Sequence, residues 1–240
     1  MKAVVLAGGK GARLAPYTMV FPKPLVPLGY RPILDIIIRQ LAHYGFRDIV
    51  LTVGYLAELI QAYFQNSSNR LPDISLSYVR EGEPTGTAGS LGLIPGLDET
   101  FLVMNGDILT SLDYSKLVAY HREKGGILTI GMHRTRVKID LGVIETDQEG
   151  ILTGYIEKPE KAYLVSMGIY VYEPTVLRYI EPNTYLDFPD LVVRLLENGE
   201  KVVGYPCDEY WLDIGRQEDY VRAQEEFERM KDRFLPGGED

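Results

Sequence analysis

The start of this chain constrains its fold most. Lys2 is followed by Ala3-Val4-Val5-Leu6, an unbroken aliphatic run, and then by Ala7-Gly8-Gly9-Lys10-Gly11-Ala12-Arg13-Leu14. A strand without polar alternation must be covered on both faces, and helices packed on a parallel sheet provide that cover. The glycines that follow mark a tight turn out of the strand. Pro32 stands where helices begin, and ILDIIIRQLAHYG puts Ile33, Ile37, Leu41 and Tyr44 on one face before Gly45. Asp48–Val53 is a second buried strand, 56–64 an amphipathic helix, 74–79 an alternating strand, and 101–104 an apolar strand ending in Asn105-Gly106-Asp107. Strands alternating with helices at this spacing predict a doubly wound α/β fold with a mixed, mostly parallel sheet. Further on, the sequence predicts strands over 126–132, 142–145, 151–157 and 167–172, with Asp147–Gly150 turning a hairpin. It predicts helices over 188–196 and 218–229, and a frayed tail over 236–240. With no internal repeat or low-complexity linker, 1–240 reads as a single domain.

Charge and cysteine content narrow the function. A net charge of −9 over 240 residues argues against a nucleic-acid partner, because phosphate backbones need clustered Lys and Arg. A small phosphorylated ligand needs only a few local cations. The single cysteine, Cys207, excludes an intrachain disulfide, fits a reducing cytosol and reads as a structural thiol. No apolar run approaches the ~18 residues of a membrane span, and the run after Lys2 is too short for a signal peptide. The expectation is a cytoplasmic protein without a membrane partner.

Three glycine loops compete at the first turn. The dinucleotide fingerprint needs a third glycine where this chain, counted from Gly9, has Leu14, which disfavours a dinucleotide-dependent oxidoreductase. The P-loop must end in Gly-Lys-Ser/Thr, and Arg13 and Leu14 stand there instead. What remains is a turn whose backbone amides can face a triphosphate, with the cations Lys10 and Arg13 in the same loop. Next comes Phe21–Leu28, FPKPLVPL, in which Lys23 is held between two prolines. Proline fixes φ near about −65° and restricts its predecessor, so Lys23 is presented from a stiffened backbone.

GGxGxRL followed by PKP resembles the sugar-1-phosphate nucleotidylyltransferases. The resemblance continues through EPTGTAGSL (83–91), similar to the family's base-reading loop, and NGDIL (105–109), similar to its metal-binding segment. IEKP (156–159) is similar to its sugar-phosphate segment and WLDIG (211–215) to its second metal segment. It implies a Rossmann-like fold of the nucleotide-diphospho-sugar transferase type, here without a C-terminal β-helix. It implies transfer of a nucleoside monophosphate from a nucleoside triphosphate to a sugar 1-phosphate with release of pyrophosphate. Arg13 is the implied holder of the leaving pyrophosphate and Lys23 the neutralising charge at the reacting phosphates. The implied nucleotide residues are Leu6, Ala7, Gly8, Gly9, Gly11, Glu81, Gly86, Thr87 and Asp107. Gly142, Glu157, Lys158 and Gly168 are the implied sugar-phosphate residues, although Ser166-Met167-Gly168 departs from the family's commoner Asn-Ala-Gly. Asp107 and Asp213 are the implied magnesium ligands, since Mg²⁺ takes one or two carboxylates and borrows phosphate oxygens. His43, His121 and His133 are scattered, read as structural or surface residues, and do not imply zinc.

Relatives that use uridine or thymidine nucleotides usually carry glutamine five positions before the glycine of the GT pair; here that position is Glu81. A carboxylate only accepts hydrogen bonds, and guanine offers N1–H and N2–H₂ side by side. GTP and mannose 1-phosphate are therefore the expected substrates, in line with the likeness to mannose-1-phosphate guanylyltransferase loops. The alternatives are a uridylyl-, cytidylyl- or thymidylyltransferase acting on glucose 1-phosphate or another sugar, a heptose 1-phosphate guanylyltransferase, and a non-catalytic sugar-nucleotide-sensing subunit. The resemblance is also compatible with a homo-oligomer.

Overall fold

The computed structural model describes residues 1–67 and 73–238. From the amino end, β1 (Lys2–Ala7) leads through short 3-10 turns and a small hairpin, β2 (Pro27–Leu28) and β3 (Arg31–Pro32), into α1 (Ile33–His43). β4 (Asp48–Val53), α2 (Ala57–Ser67), β5 (Ser75–Arg80) and the single turn α3 (Gly86–Gly89) follow. Next are β6 (Phe101–Asn105), β7 (Ile108–Thr110), α4 (Tyr114–Lys124), β8 (Leu128–Lys138), β9 (Val143–Thr146), β10 (Leu152–Ile156) and β11 (Glu160–Tyr172). The chain continues with α5 (Phe188–Glu197), β12 (Val202–Cys207), β13 (Trp211–Asp213), α6 (Gln217–Arg229) and α7 (Lys231–Phe234).

Seven strands form one sheet in the order β12-β8-β11-β6-β1-β4-β5. Only β11 runs antiparallel to its neighbours, so the sheet is mixed and mostly parallel. The aliphatic run of β1 serves both faces. Val5 joins Ile37, Leu41, Ile60, Leu117 and Phe227 in one apolar layer, and Val4 joins Leu91, Val103, Leu191 and Leu195 in the other. Helices thus cover both faces, as a strand without polar alternation requires. From β1 the chain builds outward to β4 and β5, then crosses back to place β6 on the other side of β1. That reversal opens a crevice at the carboxyl ends of β1 and β6, where doubly wound sheets bind ligands.

Eight elements were not expected from the sequence: β2, β3, α3, β7, α4, β12, β13 and α7. β8 and β11 also run beyond the predicted 126–132 and 167–172. Their outer halves pair with each other, from Met132↔Ser166 to Lys138↔Glu160, with a register shift at 166–170. These outer residues are mostly exposed and carry no burial pattern to read. β9 and β10 form a separate two-stranded ribbon. Its turn is the predicted one, with Asp147 Oδ1 accepting from the amides of Glu149 and Ile151, both at 2.9 Å. Of the tail expected to fray, 239 and 240 lie outside the described residues.

Candidate active site

The glycine loop is shaped by what it must pass. A Cβ on Gly8 would lie 2.8 Å from Glu81 Oε1, so the backbone there runs directly against that carboxylate. Gly11 has φ +61°, and a Cβ on it would lie 2.8 Å from Lys23 Cβ. Only glycine meets both demands at low cost. Thr18 Oγ1 donates to the Gly11 carbonyl at 2.9 Å and ties the loop to the 3-10 turn Tyr17–Met19. Lys23 is buried, and its ammonium pairs with Asp107 Oδ2 just beyond β6.

The other oxygen of that carboxylate, Asp107 Oδ1, is buried with no hydrogen-bond partner among the described residues. The β7–β13 ladder sets Asp213 opposite Ile108, and the amide of Ile214 donates to the Asp107 carbonyl at 3.0 Å. Two carboxylates more than a hundred residues apart are thereby held side by side. Burial, and then the Asp107 charge, push the Asp213 carboxyl above its ordinary range, while Lys23 and Arg13 pull it back. A buried acceptor without a donor beside a second, crowded carboxylate fits a hard divalent cation. Among the described residues there is no cluster of three or more His, Cys, Asp or Glu that could hold a metal. These two aspartates would therefore need substrate oxygens or water to complete a coordination shell.

Two cavities flank this pair. One, of about 330 Å³, is lined by every expected nucleotide residue except Gly11, together with Lys23. It is also lined by Ser90 and Asn105, which lie in the predicted base-reading and metal segments without being singled out, and by residues that sequence reasoning missed, among them Thr52, Tyr185 and Asp187. Glu81 Oε2 accepts from the amide and hydroxyl of Thr85, at 3.3 and 3.1 Å. At the far wall, a Cβ on Gly86 (φ +78°) would lie 2.5 Å from the Leu186 carbonyl, which accepts from the amides of Ala88 and Gly89. This packing brings Tyr185 and Asp187 to the cavity. The Tyr185 hydroxyl donates to Asp187 Oδ2 at 2.6 Å, and Asp187 Oδ1 accepts from the Thr87 amide at 3.2 Å. The Tyr185 bond is the main reason the Asp187 carboxyl sits below its usual range. No local motif marks 185–187; only the fold brings that segment against the Gly86 turn.

The second cavity, of about 460 Å³, is lined by Arg13, Asp213, Arg216, Asp219 and Arg222, with His133 and Trp211. Arg13 thus lines the second cavity with Asp213 and not the first, which Lys23 and Asp107 line. His133, expected to be structural or on the surface, lines this cavity and lies 5.5 Å from the Trp211 ring, centroid to centroid. None of the expected sugar-phosphate residues, Gly142, Glu157, Lys158 and Gly168, lines either cavity. Gly168 (φ +70°) packs against Asn105, which does line the first: a Cβ there would lie 2.7 Å from Asn105 Nδ2. Gly142 packs on Tyr155, whose hydroxyl donates to Glu157 Oε2 at 3.0 Å, and Glu157 and Lys158 are exposed at the end of the ribbon.

The family described as nucleotidyl transferase matches residues 2–230. UTP–glucose-1-phosphate uridylyltransferase of Synechocystis sp. is 35% identical over 241 residues, covering 93% of this chain and 62% of the relative. Mannose-1-phosphate guanylyltransferase of Mycobacterium tuberculosis is 31% identical over 233 residues, covering 95% of this chain and 64% of the relative. The chain therefore spans less than two thirds of the length of these curated relatives. HddC from Yersinia pseudotuberculosis, solved in complex with GMP-PN, superposes with a TM-score of 0.70 at 25% identity, covering 94% of this chain and 99% of that one. No helix among the described residues is long and apolar enough to cross a membrane. With its glycine loop, its paired aspartates and a match over nearly its whole length, the chain belongs to the nucleotidyl transferase family.

Proposed function

We propose that this chain transfers a nucleoside monophosphate from a nucleoside triphosphate to a sugar 1-phosphate and releases pyrophosphate. The observation that carries the reading is the Lys23–Asp107 pair at the reversal between β1 and β6, lining a nucleotide-sized cavity with the glycine loop, while Arg13 lines a second cavity with Asp213. Both substrates are anions, so charge repulsion opposes their approach, and positioned cations lower that barrier. Lys23 is a fixed cation at the mouth of the glycine loop. Arg13 offers a planar fork of donors that suits a departing pyrophosphate. Asp107 and Asp213 would hold Mg²⁺, which supplies charge neutralisation to the phosphates when bound. In this reading Asn105, with Gly168 packed against it, borders the sugar site, to which Glu157 and Lys158 also belong.

For the base, we favour guanine. Glu81 lines the cavity beside Gly8 as an acceptor-only group, and guanine offers it two adjacent donors. Mannose 1-phosphate is the favoured acceptor, because the relatives named for guanylyl transfer are named for mannose 1-phosphate. A second reading, uridylyl transfer to glucose 1-phosphate, rests on the Synechocystis relative, whose 35% identity exceeds the 31% of the mycobacterial one. The test is pyrophosphate release over a grid of nucleoside triphosphates and sugar 1-phosphates with Mg²⁺. Release with GTP and mannose 1-phosphate, and a shift toward UTP in Glu81→Gln, support the reading. Release with UTP alone, or an unchanged preference in Glu81→Gln, removes the base assignment and leaves the reaction. No release from folded protein on any pair removes the reaction.

A further inference from the structure

Three residues lining the first cavity carry buried polar atoms with no hydrogen-bond partner among the described residues: Thr52 Oγ1, Ser90 Oγ and Asp107 Oδ1. The aspartate belongs to the charged centre. The two hydroxyls do not. Thr52 is 0% and Ser90 1% exposed. Thr52 on β4 is in register with Leu6 on β1, so both side chains lie on one face of the sheet. Ser90 directly follows α3, and its neighbours Gly89 and Leu91 are buried beside it. The surrounding layer is aliphatic and aromatic: Val4, Val50, Ala88, Leu91 and Val103. Valine and alanine would fill these two places without leaving a buried hydroxyl unpaired, so folding alone favours the substitutes.

What the two hydroxyls share is the cavity that Glu81 lines. We propose that Thr52 and Ser90 are base-reading residues, whose hydroxyls bond the carbonyl of the nucleobase while Glu81 takes the adjacent ring N–H. This rests on the reading of that cavity as the nucleotide site. The three groups together select a base in which a carbonyl sits next to a ring N–H. Guanine has O6 beside N1–H, and uracil has O4 beside N3–H. Adenine and cytosine carry an unprotonated ring nitrogen at that place, which sets a lone pair against the carboxylate, and an amino group where the carbonyl would be. A hydroxyl donates to either carbonyl, so Thr52 and Ser90 strengthen binding of both bases, while the acceptor-only Glu81 turns away adenine and cytosine and favours guanine.

The test is titration of wild type, Thr52→Val and Ser90→Ala with GTP, UTP, ATP and CTP, with the melting temperature of each ligand-free protein beside it. Each variant is expected to bind GTP about 2- to 12-fold more weakly, the effect of one neutral hydrogen bond, with no loss for ATP. The ligand-free variants are expected to melt roughly 2–4 °C higher, because an unsatisfied buried hydroxyl has gone. A purely structural role gives the reverse: lower melting and unchanged base ratios. Equal losses for all four nucleotides would assign the hydroxyls to ribose or phosphate and overturn the proposal. If wild type binds GTP and the variants keep its affinity, the proposal fails while the nucleotide site stands. If wild type binds no nucleotide, both fail.

Discussion

Replacing Lys23 with methionine tests whether the Lys23–Asp107 pair is held by charge or by packing. The two side chains are 10% and 23% exposed. A fully exposed pair contributes about 0–1 kcal/mol, whereas stripping one partner from a buried pair costs about 3–5 kcal/mol. This pair lies between those limits, and among the described residues the second Asp107 oxygen has no donor to share the stranded charge. A loss of about 2 kcal/mol follows, or roughly 4–8 °C in melting temperature for a chain of this length. Methionine keeps most of the stem that packs on Gly11. The measurement is calorimetry near neutral pH on Lys23→Met, Asp107→Asn and the double variant, with pyrophosphate release measured beside it. Neutralising Asp107 removes the stranded charge, so the double variant should regain most of the stability, a coupling of about 1–2 kcal/mol. It should not regain activity, which is expected to fall at least about 100-fold on loss of a fixed cation at the reacting phosphates. If the double variant melts no higher than Lys23→Met, the loss came from packing on the loop and the charge argument is wrong.

Other substitutions separate close approach from mere flexibility. Gly86→Ala places a methyl 2.5 Å from the Leu186 carbonyl at φ +78°, so a drop of about 2 kcal/mol or more is expected; Gly9→Ala meets nothing within 4 Å and should melt like wild type. Equal melting of the two would refute the packing of the Gly86 turn on 186. Gly168→Ala drives a methyl against Asn105, so turnover should fall more than thermal stability; the reverse order would detach Asn105 from the site. Burial, then the bond to Glu209, push the Cys207 thiol up to about 12. Folded protein should resist iodoacetamide at mildly alkaline pH and react once unfolded. Because the folded state keeps that proton longer than the unfolded chain, stability should fall as pH rises above about 8.5, with a shallower slope in Cys207→Ala.

Legibility of the fold followed burial. β1, α1 and β4 are buried on most sides and announce themselves as apolar runs. α4 buries only Tyr114, Leu117, Val118 and His121, so its period is thin, although its Asp113 cap and Gly125 (φ +61°) stand at the expected places. β13 is three residues long, and its partner β7 lies a hundred residues earlier; nothing local marks either. The site divides in the same way. The glycine loop, Lys23, Asp107 and Asp213 were legible because each sits in a contiguous motif that resembles a segment of the nucleotidylyltransferases. Ser90 lies in the stretch likened to the base-reading loop without being singled out there, and Thr52 looks like an ordinary strand residue until the fold leaves both hydroxyls without a partner among the described residues. Tyr185 and Asp187 become cavity residues only because Leu186 bonds the Gly86 turn.

The electrostatic arrangement explains how so charged a centre persists in a folded chain. Two cations, Lys23 and Arg13, stand with two carboxylates, Asp107 and Asp213, so the centre carries little net charge. Like charges at this density without compensation would destabilise the fold, and burial, then the neighbouring Asp107 charge, hold the Asp213 carboxyl above its ordinary range. Each aspartate is held most comfortably when a further cation is bound, and each cation when an anion is bound. The compensation is incomplete at Asp107, whose Oδ1 has no hydrogen-bond partner among the described residues, whereas the cavity that Arg13 lines sets Arg13, Arg216 and Arg222 against Asp213, Glu218 and Asp219. In the proposed reaction a divalent ion would complete the compensation at Asp107 and Asp213, and phosphate oxygens would complete the coordination of that ion. Metal and triphosphate are therefore expected to bind cooperatively, each raising the affinity of the other by the same factor when one is titrated at several concentrations of the other.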